Sequence, residues 1–239
     1  MIKDLSIVII ALNEEKYIYK LLNSLVNQTL QNFEVIVVNN NSKDRTKEVA
    51  KSYSNKIDEL KVVDLKEING PGYAKNFGAK FAKYKNLLFI DADSICDSDF
   101  IEKIYIQKSK KDFLIATFLF KKDQRFWINV FYTLTNCCLK IMKFFGLTGV
   151  CGGLGIFCPK EIHEKIGGFQ DDIIFGEDTE YVKLASKFGK HILLNIKVSS
   201  SPRRYNGFKS VLKAIKKILY VFFTKNKIRD KRFYPYGEY

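Results

Sequence analysis

The sequence predicts an α/β fold, a mostly parallel sheet with helices on both faces. Three observations predict it. Apolar runs of strand length recur at Ser6–Leu12, Phe33–Val38 and Leu87–Ile90, broken only by Ser6 and Glu34, as strands covered on both faces are. Between them the apolar spacing changes to that of helices. The second and third runs end in polar clusters, Asn39 to Ser42 and Asp91 to Ser94. Strands alternating with helices imply right-handed crossovers, and in such sheets ligands bind beyond the carboxyl ends of the strands.

Each element follows in order. After the first strand, Asn13 is expected to cap a helix whose first turn carries Glu14 and Glu15, the sign the helix dipole favours, with Ile18, Leu21, Leu22 and Leu25 inward. The second strand is followed by a helix holding Val49, Ala50 and Tyr53. Lys61–Leu65 reads as a third strand. Gly70-Pro71-Gly72 breaks the chain, and a helix over 74–83 turns Ala74, Phe77, Gly78 and Phe81 inward. A helix near Asp99–Lys108 and a strand over Phe113–Phe120 come after the acidic turn. Phe126–Phe145 reads as a helix with Trp127, Val130, Phe131, Leu134, Cys138, Ile141 and Phe145 on one face. Read alone, that face fits the core or a membrane interface. Gly149–Cys158 is a glycine-rich turn entering a strand, Pro159 starts a short helix ended by Gly167-Gly168, and Glu177-Asp178 open another.

The totals bound the class. A chain of 239 residues, 46% hydrophobic and 28% charged, holds one large core, predicted here as residues 1–200 with a basic tail at 201–239. A net charge of +14 points to an anionic partner. Within the tail, Phe208, Val211, Leu212, Ile215, Leu219 and Phe222 make an apolar stripe opposite lysines, suited to an anionic membrane surface where each cation adds about 1 kcal/mol. The five cysteines, at 96, 137, 138, 151 and 158, are odd in number and show no C-x-x-C spacing; reduced core residues of a cytoplasmic protein are expected. The apolar N-terminus has only a strand's length and reads as a first strand, not a signal peptide.

Chemistry concentrates at LLFIDADS. Asp91 and Asp93 lie one residue apart where a buried strand stops, and two acids so close repel unless a cation lies beside them. A divalent metal fits, because Mg2+ takes one or two carboxylates and completes its shell with water and substrate phosphates. Taken singly, the same residues also suit a solvated acidic turn. Glu177 and Asp178, likewise taken singly, suit plain partners of a helix dipole.

In order along the chain, SIVIIALNEEKYIYKLLNSL, EVIVVNNNSKDRT, GPGYAKNFGAK, LLFIDADS and GGFQDDIIFGEDTEY resemble family 2 glycosyltransferases of the GT-A fold, over about Leu5 to Gly189. The resemblance implies inverting transfer of a sugar from a nucleoside diphosphate sugar, with Mg2+ or Mn2+ bridging the diphosphate to the D-x-D. It implies that Asp93 is a metal ligand and that Asp91 contacts the ribose or assists the metal. Asp178, paired with Glu177, matches the catalytic base. Ala11, Asn13 and Glu14 match the loop over the nucleoside. Asn39 stands where the family usually has an aspartate accepting from the nucleobase; its amide also donates, which alters base preference. Asn41, Lys75, Ala92, Gly152, Gly153, Arg203 and Arg204 complete the implied donor-binding set. The acceptor expected is a hydroxyl or phosphate on a saccharide or a polyprenyl-linked molecule, met at the cytoplasmic membrane face that the basic tail favours.

Two other classes are weighed against this. A non-catalytic nucleotide-sugar or membrane-binding module of the same fold would need no base, yet Asp91, Asp93 and Asp178 are all present. A nucleic-acid binder is suggested by charge alone; the cations concentrate in the tail among aliphatic residues, and no nucleic-acid motif appears. A nucleotidyltransferase would open with a glycine-rich, arginine-bearing loop, and ALNEE is not one.

Overall fold

The computed structural model describes residues 3–144, 154–173 and 176–201, with Arg203 and Leu212. The first half alternates strand and helix: β1 (Leu5–Ala11), α1 (Ile18–Val26), β2 (Phe33–Asn39), α2 (Thr46–Lys51), β3 (Leu60–Asp64), α3 (Pro71–Ala79) and β4 (Asn86–Asp91). β1 pairs in parallel with β2 and β4, and β2 with β3. Ala11 lies opposite Asn39, Asn39 opposite Asp64, and Ile10 opposite Asp91. Four strands therefore stop at one level, and a polar edge results.

The second half is β5 (Ser94–Ile95), α4 (Phe100–Lys110), β6 (Ile115–Phe120), α5 (Phe126–Phe144), β7 (Ile156–Pro159), α6 (Lys160–Lys165), α7 (Glu177–Ala185) and β8 (His191–Ser200). The sheet order is β3-β2-β1-β4-β7-β6-β8-β5. β7 runs antiparallel to β4 and β6, β8 parallel to β6, and β5 antiparallel to β8. Sheet alternation divides the core in two. Leu5, Ile7 and Ile9 of β1 meet α1, α4 and α5, while Val8 meets α3, α6 and α7 on the other face. The expected helices on both faces are present.

Several elements differ from the sequence expectation. Asn13 does not cap α1; it takes a left-handed backbone at φ 54°, and the helix begins only at Ile18, after a turn in which the Glu14 carbonyl accepts from Tyr17 and Ile18. Gly70-Pro71-Gly72 starts α3 rather than preceding it, because Pro71 occupies the first helical turn, where its missing N–H costs nothing. α5 turns Ile128, Phe131, Tyr132 and Leu139 into the core, so of the face that fitted core or membrane interface Phe131 is buried while Trp127, Leu134, Cys138 and Ile141 are exposed. Cys96 and Cys158 are buried as expected, and Cys137 is exposed with Cys138; all four are free thiols. Gly149 to Gly153, Ile174, Phe175, Arg204 and the tail beyond, Leu212 apart, lie outside the described residues.

One close approach places α3. A Cβ at Gly78 would lie 2.5 Å from Val8 Cγ1 and 2.7 Å from Val38 Cγ2, so the helix rests flush on β1 and β2. Any larger residue would lift it.

Candidate active site

The strand-end loops build the floor. Asn13 N–H donates to Ser42 Oγ at 3.0 Å, and Lys43 N–H donates to Asn13 Oδ1 at 2.9 Å. Glu14 N–H donates to Thr46 Oγ1 at 2.7 Å, and Asn40 N–H to the Ala11 carbonyl at 2.8 Å. Left-handed backbone at Asn13 and Asn41 lets the two loops turn back on each other. Ala11, Asn13, Glu14, Asn39 and Asn41 thus share one knitted surface beyond β1 and β2.

Asn39 is held by its neighbours. Its Nδ2 donates to Asp64 Oδ1 at 2.8 Å, and its Oδ1 accepts from the Ser42 N–H at 3.3 Å. Asp64 also meets Lys47 Nζ at 2.6 Å. Burial opposes ionisation of Asp64, but Lys47 and Asn39 outweigh it and hold the carboxyl below its ordinary range. A carboxylate therefore stands one strand away from the asparagine. Sequence reasoning missed Asp64, although it ends β3 level with Asn39.

The D-x-D turn lies between two charged clusters. Beside Asp93, Arg203 donates from Nη1 to Glu14 Oε2 at 2.8 Å and from Nη2 to Glu14 Oε1, while its Nη2 lies 3.8 Å from Asp93 Oδ2. Its guanidinium also covers the Tyr17 ring at 4.6 Å. The backbone brings these together: β5 pairs with the end of β8, and Ser201 N–H donates to the Asp93 carbonyl at 3.0 Å. Tyr17 and the β5–β8 pairing were not read from the sequence. Ala92, between the two acids, is buried.

On the other side, Lys75 Nζ lies 2.6 Å from Asp178 Oδ1 and 3.2 Å from Glu177 Oε1. Both acids stand in the first turn of α7, which follows a left-handed Gly176 at φ 90°. Burial and repulsion from Asp178 push the Glu177 carboxyl up against the pull of Lys75, and Asp91 adds to the push. Burial disfavours the charged Lys75, but Asp178, Glu177 and Asp91 more than restore it and hold its ammonium well above the ordinary lysine range. The field of Asp91 thus reaches the acid pair, so the D-x-D and the α7 acids share one region. Asn76 ties α3 to the approach of α7: its Nδ2 donates to the Phe169 carbonyl and to Asp171, and its Oδ1 accepts from the Phe169 N–H. Gly168, at φ 75°, leaves room for that amide, since a Cβ there would lie 2.4 Å from Asn76 Oδ1. The predicted Gly152, Gly153 and Arg204 are outside the described residues.

The donor set at the end of β4 is two carboxylates, hard oxygen ligands of the kind Mg2+ and Mn2+ take together with water and phosphate oxygens. Among the described residues no group of three or more His, Cys, Asp or Glu gathers to hold a metal unaided. The residues therefore fit a cation shared with an anionic ligand, and the nearby Arg203 guanidinium shows that Asp93 already draws positive charge.

The profile of glycosyl transferase family 2 matches residues 6–166, about two thirds of the chain. The chain belongs to glycosyl transferase family 2. Among relatives, it is 27% identical over 189 residues to the glycosyltransferase AglE of Haloferax volcanii, covering 77% of this chain and 62% of that protein. Two solved structures share the fold. TarS 1–349 of Staphylococcus aureus, in complex with UDP-GlcNAc, aligns with TM-score 0.69 at 20% identity over 91% of this chain and 66% of that one. The mannosyltransferase PcManGT of Pyrobaculum calidifontis, in complex with GDP-Man and Mn2+, aligns with TM-score 0.72 at 17% identity, over 98% of this chain and 68% of that one. The chain spans 11% to 62% of the length of the curated relatives it matches.

Proposed function

We propose that this family 2 member is an inverting glycosyltransferase that moves a sugar from a nucleoside diphosphate sugar to a hydroxyl. One observation carries the reading: the Glu177–Asp178 pair, held on Lys75, lies within the field of Asp91 at the strand end. A base and a place for a diphosphate are thereby neighbours. The UDP-GlcNAc and GDP-Man bound in the TarS and PcManGT structures support a nucleotide-sugar donor.

In this reading Asp178 takes the proton of the acceptor hydroxyl as its oxygen attacks the anomeric carbon from the face opposite the diphosphate. The bond from that carbon to the diphosphate breaks through an oxocarbenium-like state. General-base assistance of this kind contributes about 10²- to 10⁴-fold. Ala11, Asn13, Glu14, Asn39 and Asn41 enclose the nucleoside, and Arg203 meets the negative end of the donor. Asp93 and Asp91 would hold Mg2+ or Mn2+, which supplies Lewis-acid stabilisation of the departing charge.

The acceptor in this reading is a saccharide or a polyprenyl-linked molecule met at the anionic cytoplasmic face of the cell membrane, where the protein is peripheral. The lysine-rich, apolar-striped sequence after Arg203 supports it, as do the exposed Leu134 and Ile141 of α5. No helix among the described residues is long and apolar enough to cross a membrane.

The test is release of nucleoside diphosphate from UDP- and GDP-sugars, with and without Mn2+, alongside a thermal-shift screen of the same donors. The Asp178→Asn variant is expected to lose turnover by at least about a hundredfold while binding nucleotide nearly as before. Near-normal transfer by that variant removes Asp178 as the base.

A further inference from the structure

The lysine of the GPGYAKN segment is a candidate donor-binding residue that the fold buries on two carboxylates. The Lys75 side chain is 4% exposed, less than Glu177 at 12% or Asp178 at 15%, so the ammonium approaches the two carboxylates from the core side. Its amine also lies 5.1 Å from the centre of the Phe169 ring, and Phe169 stacks on Tyr181 of α7 at 4.0 Å. The buried ammonium thus has one aromatic ring on one side and two carboxylates on the other.

From this we infer that Lys75 is the positioning residue of the acid pair: it holds Asp178 through Oδ1 and leaves Oδ2 as the oxygen that meets the acceptor hydroxyl. The inference rests on Asp178 acting as the base. Among the described residues no hydrogen bond engages Asp178 Oδ2. A carboxylate on a helix's first turn swings among rotamers unless something pins it, and a charge-assisted contact of 2.6 Å pins one oxygen and thereby aims the other. Lysine suits the task better than arginine, because a compact ammonium can sit between two acids on one turn where a planar fork would need more room.

A diphosphate-binding role for the same lysine conflicts with this geometry. To reach a donor, the amine would have to leave both acids, stranding two adjacent carboxylates in a largely buried place already within the field of Asp91. The supports of α3 also resist the move. Gly78 seats the helix against Val8 and Val38, and the Asn76 amide fastens it to Phe169 and Asp171. The backbone at Lys75 is thus held in place, and only its side chain could make the move. The pair shares a single cation, and burial and crowding push the Glu177 carboxyl up, leaving Asp178 with the shorter contact.

The experiment compares the full chain with Lys75→Met, Lys75→Arg and the charge-relieved Lys75→Met/Glu177→Gln. It reads nucleoside diphosphate affinity by calorimetry, donor KM and kcat by product release, and folding by thermal melt. Lys75→Met is expected to keep nucleotide affinity and donor KM within about threefold while kcat falls about tenfold to a hundredfold. Lys75→Arg should recover part of that loss, and Lys75→Met added to Asp178→Asn should cost nothing further. If the single Met variant does not fold, the double variant, which removes one stranded charge, carries the same comparison.

A rise of tenfold or more in nucleotide Kd with kcat retained overturns the inference and makes Lys75 a phosphate ligand. So does a crystal structure of the Met variant with the Asp178 carboxylate unmoved, a result that needs no turnover. Absence of turnover in the unaltered chain with every donor would instead tell against the transferase reading, and is seen before any variant is made.

Discussion

Two clusters of the same make-up flank the turn after β4. Each is one cation between two carboxylates: Lys75 with Glu177 and Asp178, and Arg203 with Glu14 and Asp93. They differ in how the parts are delivered. The Lys75 cluster joins two helices of the same core layer, with both acids on one helical turn and the amine beneath them. The Arg203 cluster joins the loop after β1, the turn after β4 and the residue three beyond the last strand, and its cation is a planar fork laid on Tyr17. A buried point charge can hold a base still. A fork at the edge, near carboxylates that face the strand ends, can exchange its partners for phosphate oxygens. One arrangement suits proton transfer and the other suits anion binding.

That division can be broken by experiment, beginning with the largest effect. Asp93→Asn is expected to lower donor-dependent turnover by at least about a hundredfold and to abolish the thermal shift that donor and Mn2+ produce together. Asp178→Asn, in contrast, should keep that shift. Equal loss of the shift in both variants would merge the two clusters into one function. Arg203→Ala is expected to raise donor KM about tenfold with a smaller change in kcat, the opposite pattern to Lys75→Met. A kcat effect from Arg203→Ala with KM unmoved would reverse the assignment.

A smaller effect concerns stability, through two buried histidines. His163 shares a 3.1 Å contact with the Tyr181 hydroxyl behind α7, and His191 one of 2.9 Å with Thr117 Oγ1 where β8 begins. Burial, then Lys160 for the first and Lys143 for the second, lowers each from 6.5 to about 4. A folded pKa below the unfolded one means that the unfolded chain binds the proton first. Stability is therefore whole above about pH 6.5 and falls as the pH drops towards about 4, by up to about 3 kcal/mol per histidine. Denaturant melts across that range, with His163→Gln and His191→Gln, check it. Each substitution should flatten the acid limb, and an unchanged slope would remove the histidines as its cause.

The parallel half was legible because β1, β2 and β4 are buried on both faces and so read as largely apolar runs, with boundaries met within a residue there and at the edge strand β3. The other half carries its information less locally. α5 bears apolar residues around most of its circumference, so the pattern offered a stripe through Trp127, Leu134 and Ile141 where packing chose Ile128, Tyr132 and Leu139. β5 is two residues long, and β8 mixes buried Leu194 and Ile196 with exposed Asn195 and Lys197. The acids of the candidate site were visible as types at strand and helix ends. Their cations were visible as well, but which cation meets which acid depends on how α3 abuts α7 and how β5 pairs with β8. No local pattern states that.

The backbone bond from Ser201 to Asp93 joins the end of the last strand to the acidic turn. Arg203 follows two residues later, so the chain leaves the core with its first charged side chain already moored to Glu14 and beside Asp93. Tension on the polypeptide beyond that point would be transmitted straight into the acidic turn after β4, without crossing the rest of the sheet.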